Sequence, residues 1–335
     1  MEQQKFPTIS IIGCGGCGCN ILREFIEKSQ GRFAGLVTYK AIDTAQSNFN
    51  GLKDIDPIAI DNLGSGKDRS KCYNTIKTYL DNHQDLAKKA SDITIMICSM
   101  AGGSGNVIAT VLSNMIYRHD KGKAVVVVGI CDSSSQRDCM NSIAALKTFN
   151  KLAKDLRICL PMMLFSNTLR FEDNPKPGRQ KVNNSTISRL IELIGMLTDS
   201  SVSELDYTDK LTFLRPMETE CEPGICTLVV TGSDSALPEY LPGEVDLSVS
   251  KANIIHGLLA VNPAGVSPDD IRATVSYVGV GPTTYIAVID PGIPSMFTED
   301  LSDAATEYQS AAKKATTMDK DFEPFGTENK SGLIL

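Results

Sequence analysis

The sequence has only three histidines, no tryptophan and no apolar run approaching the ~20 residues that a membrane-spanning helix needs. The scarcity of histidine leaves little from which to build a histidine-rich metal site. The first residues lack the charged and apolar regions of a signal peptide. The longest apolar runs, Ile93–Met100 and Ala124–Cys131, have the length of buried strands. We therefore expect a soluble cytoplasmic protein without a membrane partner.

The charge balance narrows the range of partners. A formal net charge of −7 argues against direct nucleic-acid binding driven by bulk electrostatics. Any bound phosphate must therefore be held by local backbone groups. The ten cysteines are scattered through a chain far larger than a disulfide-stapled domain, which favours reduced thiols.

Apolar runs that alternate with helical patterns occupy the first half of the chain. The runs read as buried strands at Thr8–Ile12, Leu36–Ile42, Pro57–Ile60, Ile93–Cys98, Ala124–Cys131 and Leu160–Phe165. Their continuous apolar character is typical of a parallel sheet covered on both faces. The alternation predicts a doubly wound, mostly parallel α/β fold.

The second half of the chain predicts three further parts. A helix from about Asn183 to Leu197 follows a Pro/Gly-rich loop, and a last helix follows Thr298, a plausible N-cap. The strands between them are predicted at Cys226–Thr231, Ala273–Val280 and Tyr285–Ile289. We therefore predict a nucleotide-binding domain (1–178), a central helix (179–200), a smaller α/β domain (201–297), and a C-terminal helix with a polar tail (298–335).

A first glycine-rich loop, residues 13–18, follows the first strand and opens a helix. It matches G-x-G-x-x-G through Gly13, Cys14, Gly15, Gly16, Cys17 and Gly18. Such a loop lets backbone N–H groups at the helix start approach a phosphate. With Asp43 at the end of the next strand, this motif alone would indicate an NAD-dependent oxidoreductase. We interpret its cysteines as small residues that fill a crowded loop rather than as metal ligands.

A second glycine-rich loop changes that interpretation. It also follows a buried strand and opens a helix, and it comprises Ala101, Gly102, Gly103, Ser104, Gly105 and Asn106. Two such loops at the carboxyl ends of separate strands can enclose a triphosphate across the ligand crevice. A third turn, which comprises Gly64, Ser65, Gly66, Lys67 and Asp68, lies between them and is placed to cap the γ-phosphate. The Walker A spacing is absent, which argues against a P-loop NTPase.

These loops resemble those of the tubulin/FtsZ family. Gly102–Gly105 is similar to the signature G-G-G-T-G-S/T-G, with Ala101 at its first glycine and Ser104 at its threonine. The first loop matches as far as Asn20, and Asp43–Gln46 is similar to the stretch after the family's second strand. The order and spacing agree over about residues 8–215. The short chain and its final helix most resemble phage-encoded tubulins.

The resemblance implies a site for GTP or GDP with largely water-coordinated Mg²⁺. Asn167 and Asn184 are the implied guanine contacts, because an amide side chain both donates and accepts hydrogen bonds. Helix capping is the alternative role for Asn184. Arg137 is aligned with the ribose loop, and surface exposure explains it equally well.

The resemblance also implies that hydrolysis takes place between subunits. Glu204, Asp206 and Asp209 are similar to the family's N-x-D-x-x-D catalytic loop, with Glu204 in place of asparagine. In the family this loop serves the nucleotide of the next subunit, where carboxylates orient the attacking water. Head-to-tail stacking with another copy of the chain would then form a filament.

The expected function is a GTPase activated by polymerisation, which positions phage DNA or capsids in the bacterial cytoplasm. Two alternatives remain at this point. One is the NAD-dependent oxidoreductase, which leaves the second loop and the acidic motif unexplained. The other is a tubulin-like scaffold that binds nucleotide without turnover.

Overall fold

The computed structural model describes residues 6–52, 55–61, 64–168, 178–198, 207–215, 222–232, 256–259, 275–277, 285–293 and 295–321. Their strands are β1 Ile9–Cys14, β2 Val37–Asp43, β3 Asp56–Ala59, β4 Ile93–Ser99, β5 Ala124–Cys131, β6 Cys159–Ser166, β7 Gly224–Gly232, β8 His256–Leu259, β9 Val275–Tyr277 and β10 Tyr285–Pro291. Their helices are α1 Gly15–Ser29, α2 Arg69–Asn82, α3 Asp85–Lys88, α4 Ser104–His119, α5 Gln136–Leu156, α6 Gly178–Thr198, α7 Tyr207–Phe213 and α8 Ser295–Asp321.

The described strands form one sheet in the order β3-β2-β1-β4-β5-β6-β7-β10-β8-β9. The strands from β3 to β7 are parallel, and β10 is antiparallel to both of its neighbours. This confirms the predicted doubly wound, mostly parallel α/β fold. The order of connection reverses between β1 and β4. In such sheets a ligand crevice opens at the carboxyl ends of the two strands where the order reverses.

The sheet is buried on both faces, as its apolar strands predict. One face packs on α1 and α6 through side chains such as Phe25 and Leu190. The other packs on α2, α4, α5 and α8, with Ile108, Phe149 and Phe297 in its core. Because both layers are closely packed, the helix starts beside the crevice are held on a rigid framework.

Several boundaries differ from the sequence predictions. The central helix begins at Gly178 rather than Asn183, and it buries Val182 one turn before Thr186. The last helix begins at Ser295, so Thr298 lies inside it and the predicted N-cap is wrong; the earlier start buries Phe297. The sequence analysis missed β8, a short strand containing glycine and histidine. Pairing of β6 with β7 continues the sheet past residue 178, and the predicted domain boundaries stay predictions.

None of the helices in the described part of the chain combines the length and apolarity that crossing a membrane requires.

Candidate functional site

The two glycine loops touch each other at the carboxyl ends of β1 and β4. Loop 1 (residues 13–18) begins α1, and loop 2 (residues 101–105) begins α4. A Cβ on Gly15, whose φ is +71°, would lie 2.7 Å from the Cα of Gly105. A Cβ on Gly105 would in turn meet the carbonyl oxygen of Cys14. Glycine is therefore required at both positions for the loops to approach this closely.

The outer glycines of loop 1 serve packing. A Cβ on Gly13 would lie 2.8 Å from the carbonyl oxygen of Gly18, and one on Gly18 would collide with the carbonyl of Ile97 in β4. Neither glycine lines the crevice. They bring α1 close to β1 and β4, so loop 1 is held at the crevice edge.

A third loop, residues 64–67, closes the other side of loop 2. A Cβ on Gly103 would lie 2.9 Å from the Cα of Lys67, so the two loops are in contact. The Asn141 side chain in α5 donates to the carbonyl oxygens of Lys67 and Ala101, both at 3.0 Å. Arg137 Nη1 donates to the Gly66 carbonyl oxygen at 3.3 Å. The first turns of α5 thus fix loop 3 against loop 2.

The three loops surround a cleft of about 510 Å³, within the range of small-molecule sites. The sequence-predicted residues that line it are Cys14, Gly15, Gly16, Cys17, Asn20, Asp43, Gly64, Ser65, Gly66, Ala101, Gly102, Gly103, Ser104, Gly105 and Asn167. The first turns of α1 and α4 are among them. Because N–H groups at a helix start lack intrahelical partners, this wall suits an anionic ligand.

Ten further lining residues were not among the predicted site residues. They are Thr44, Ala45, Asn48, Lys67, Ser99, Ile130, Asp132, Asp138, Arg179 and Asn183. Asn48 was detectable, since it lies two residues beyond the Asp43–Gln46 stretch. Lys67 belongs to the third turn that the sequence analysis placed at the γ-phosphate. Thr44 and Ala45 lie inside the Asp43–Gln46 stretch, and the remaining residues become neighbours of the cleft only through the fold.

Asp43 is a buried residue that holds the cleft together. One of its oxygens accepts from the Thr44 N–H at 2.7 Å and from the Ser104 hydroxyl at 2.8 Å. Its other oxygen accepts from the Asn48 amide. With both oxygens engaged by the protein, Asp43 joins the end of β2 to loop 2. This arrangement does not require the ribose contact of a dinucleotide-binding domain.

Asn106 is fully buried and does not line the cleft. Its amide nitrogen donates to the carbonyl oxygens of Ser99, Met100 and Gly102, at 3.0, 3.2 and 2.8 Å. Its oxygen accepts from Arg69 Nε at 2.7 Å. Asn106 therefore shapes loop 2 from behind.

The asparagine of α6 that lines the cleft is Asn183, one residue before the predicted Asn184. Asn184 accepts a hydrogen bond from Lys28 Nζ at 2.6 Å and lies outside the cleft lining, whereas Asn183 lines it. Successive residues of a helix point about 100° apart, so a one-residue shift exchanges the cleft for the α1 side. Asn167 lines the cleft as predicted and donates to Asp132 at 3.1 Å. Arg137 lies outside the lining and binds loop 3.

Cys14, Cys17 and Cys19, in and directly after loop 1, are neutral thiols at physiological pH. Burial raises the pKa of Cys17 to about 11 and that of Cys19 to about 12, and it also raises the pKa of Cys14. A neutral thiol beside the helix start adds no charge that would repel a phosphate. Among the described residues, no three His, Cys, Asp or Glu side chains are grouped to hold a metal ion.

The acidic motif is only partly within the described residues. Glu204 and Asp206 lie outside them, and Asp209 lies in α7, although its side chain is not described. The neighbouring Lys210 is buried and donates to the Leu197 carbonyl oxygen at 3.0 Å. The middle of α7 is thereby joined to the end of the central helix.

The residues present fit a nucleoside triphosphate. Two helix starts and three glycine-bearing loops line one cleft, and amide side chains from α1, α6 and the end of β6 line it as well. The acidic lining residues are Asp43, Asp132 and Asp138. Since Asp43 is engaged by protein donors, a Mg²⁺ ion here would be held mainly by phosphate and water oxygens. Fold and cleft together define an α/β domain that binds a phosphorylated nucleotide.

Comparison with known proteins assigns the domain. Residues 8–167 match the family described as Tubulin/FtsZ family, GTPase domain. The resemblance predicted from the glycine loops is confirmed over these residues. No curated protein sequence matches the chain.

Several solved structures share the fold over nearly the whole chain. A protofilament of TubZ from bacteriophage PhiKZ has a TM-score of 0.68 at 20% identity and covers 98% of this chain and 95% of its own. The phage tubulin PhuZ with GDP has a TM-score of 0.68 at 15% identity, with 96% and 95% covered. CetZ from Methanosaeta thermophila has a TM-score of 0.67 at 19% identity, with 94% and 96% covered.

Proposed function

We propose that the protein is a tubulin-like GTPase that polymerises head to tail into filaments. The observation that carries this proposal is the contact between the two glycine loops around a cleft at the switch point of the sheet. A dinucleotide-binding domain needs one such loop, whereas a triphosphate can use both. Similar structures described as a protofilament and a filament support self-association.

Within this proposal, loops 1 and 2 bind the phosphates through backbone N–H groups. Asn20, Asn167 and Asn183 are the candidate contacts to the guanine base, since all three line the cleft. A bound Mg²⁺ ion would supply positive charge at the phosphate oxygens. The structure favours Asn183 over Asn184 because Asn184 is bound to Lys28.

Catalysis requires a second subunit. We propose that Asp206 and Asp209, with Glu204, orient the attacking water at the γ-phosphate of the neighbouring molecule. A carboxylate can accept a hydrogen bond from that water, and positioning supplies much of the acceleration in phosphoryl transfer. Each contact joins different surfaces of the two subunits. Successive contacts therefore build a filament when the rotation from one subunit to the next does not close a ring.

Turnover measured against protein concentration tests this proposal. A site completed by a neighbour gives almost no GTP hydrolysis below a critical concentration and a steep rise above it. Turnover strictly proportional to concentration, including the most dilute samples, would contradict it. The Asp209→Ala variant should polymerise with GTP into filaments that do not disassemble. Normal hydrolysis by that variant would refute the catalytic assignment.

We further propose that the filament positions phage DNA or capsids in a bacterial cytoplasm. The supporting observation is that similar structures include phage tubulins, while CetZ is similar as well. Imaging of the labelled protein in infected cells tests this: filaments that contact neither DNA nor capsids would contradict it.

The scaffold alternative predicts GTP-dependent assembly without phosphate release. NAD found in the purified protein would favour the oxidoreductase.

A further inference from the structure

The three loops lie in a fixed order along the cleft. Loop 1 touches loop 2 through Gly15 and Gly105, and loop 2 touches loop 3 through Gly103 and Lys67. The amide side chains suited to a base lie on α1 and α6, and these helices are joined by the bond from Lys28 to Asn184. A nucleotide whose base occupies that end extends its phosphates from loop 1 toward loop 3. The last phosphate therefore lies at loop 3.

Positive charge is scarce along this path. The lining of the described cleft has two basic side chains, Lys67 and Arg179, against three acidic ones. Arg179 is in the first turn of α6 and its charge also acts on Asp138, so Lys67 is the cation that loop 3 itself carries. Its ammonium group lies 2.6 Å from an oxygen of Asp138, whose side chain is only 7% exposed. The same carboxylate accepts from the Ser135 hydroxyl at 2.7 Å.

The backbone of Lys67 is held independently of this ion pair. Its φ is +62°, a left-handed conformation that is unfavourable for a residue with a side chain. Such conformations persist where the surroundings enforce them, and they cluster at functional sites. Here Asn141 binds the Lys67 carbonyl and Arg137 binds that of Gly66. The flexible side chain can therefore change partners while the loop stays in place.

We propose that Lys67 distinguishes a nucleoside triphosphate from a diphosphate, and that Asp138 holds its ammonium group when the terminal phosphate is missing. This inference rests on the proposed function. With a triphosphate in the cleft, Lys67 exchanges Asp138 for a phosphate oxygen, and Asp138 keeps its bond from Ser135. With a diphosphate, Lys67 remains on Asp138 and makes no contact with the ligand. Lys67 is thus a specificity-determining residue.

The test compares two affinities in each variant. Fluorescent GDP and a fluorescent, non-hydrolysable GTP analogue are titrated with Mg²⁺ into the full chain, below the concentration at which it assembles. Lys67→Met should weaken binding of the analogue by about 10- to 100-fold, the range of a charge-assisted hydrogen bond, and leave GDP binding little changed. Lys67→Arg, which keeps the charge at the same backbone position, should retain most of the preference. Asp138→Asn should shift the ratio toward the analogue, because the competing anion is removed.

Lys71→Met is the matched control. Lys71 is four residues along, pairs with Asp68 and has an 82% exposed side chain, so its loss should leave the ratio of affinities unchanged. An unchanged ratio in Lys67→Met overturns the proposal. The proposal is also overturned if Asp138→Asn weakens binding of the analogue as much as Lys67→Met does, because the ion pair would then only hold the loop in place. A wild-type chain that binds neither nucleotide refutes the proposed function itself.

Discussion

Replacing Asn106 with alanine should destabilise the nucleotide-binding domain more than the same replacement at an exposed asparagine. The change removes two amide N–H groups that serve three carbonyl oxygens, one of them buried and two partly buried, and it removes the oxygen that accepts from Arg69. Two neutral bonds contribute about 2 kcal/mol, and the bond to a half-buried guanidinium adds about 1–2 kcal/mol. We expect a loss of about 3–4 kcal/mol in the free energy of unfolding.

Asn114 provides the matched control on the same helix. Its side-chain oxygen also accepts from an arginine, Arg118 Nε at 2.9 Å, but at an exposed position. Asn114→Ala should cost no more than about 0.5 kcal/mol. Urea unfolding without nucleotide, followed by circular dichroism, gives the urea concentration at the midpoint for each variant. If the dependence of the unfolding free energy on urea concentration is the same in both, a lower midpoint means a less stable variant. Equal midpoints would refute the role of Asn106 as the support of loop 2.

Three further predictions concern other parts of the domain. Gly105→Ala should destabilise the fold by about 2–3 kcal/mol, because the new Cβ meets a backbone carbonyl of loop 1; thermal unfolding measures this. Cys17 should react with iodoacetamide about 100-fold more slowly than an ordinary cysteine at pH 8, because burial raises its pKa to about 11; mass spectrometry of the labelled chain measures this. Burial alone would raise the pKa of Asp92, but hydrogen bonds from Thr8 and Lys123 outweigh it and lower the pKa. The cost of Asp92→Asn should therefore be complete at neutral pH and shrink below about pH 4, as the wild-type carboxyl becomes protonated.

Each of these has a clear contrary result. Gly102→Ala is the control for Gly105, since its new Cβ would have no atom closer than 3.6 Å, and equal stability of the two variants would contradict the close contact of the loops. Rapid alkylation of Cys17 would show that the pKa of its thiol is not raised. A cost of Asp92→Asn that does not fall in acid would mean that the ionised carboxylate is not what stabilises the fold.

The sequence predicts those features that are encoded locally. Apolar runs such as Ala124–Cys131 coincide with β5, and the glycine loops come at the strand-to-helix junctions where the structure has them. Their spacing predicted the resemblance that the match over residues 8–167 confirms. Short strands have too few residues for an alternating pattern to be recognised. For this reason the four residues of β8 were missed.

The details of the site depend on packing that no local pattern encodes. Asn183 and Asn184 are equivalent in a sequence, and only the rotation of α6 against α1 decides which of them faces the cleft. Lys67 and Asp138 are 71 residues apart, and they meet because α5 packs beside loop 3. Asparagine often contacts ligands, but Asn106 faces away from the cleft toward the carbonyl oxygens of loop 2.

Sedimentation of the full chain with GTP, GDP or ATP, with phosphate release measured on the same samples, tests the central claim most directly. Our account predicts polymer with GTP alone, and phosphate release that begins at the same protein concentration as the polymer. Phosphate release without polymer, or equal assembly with GDP, would contradict it.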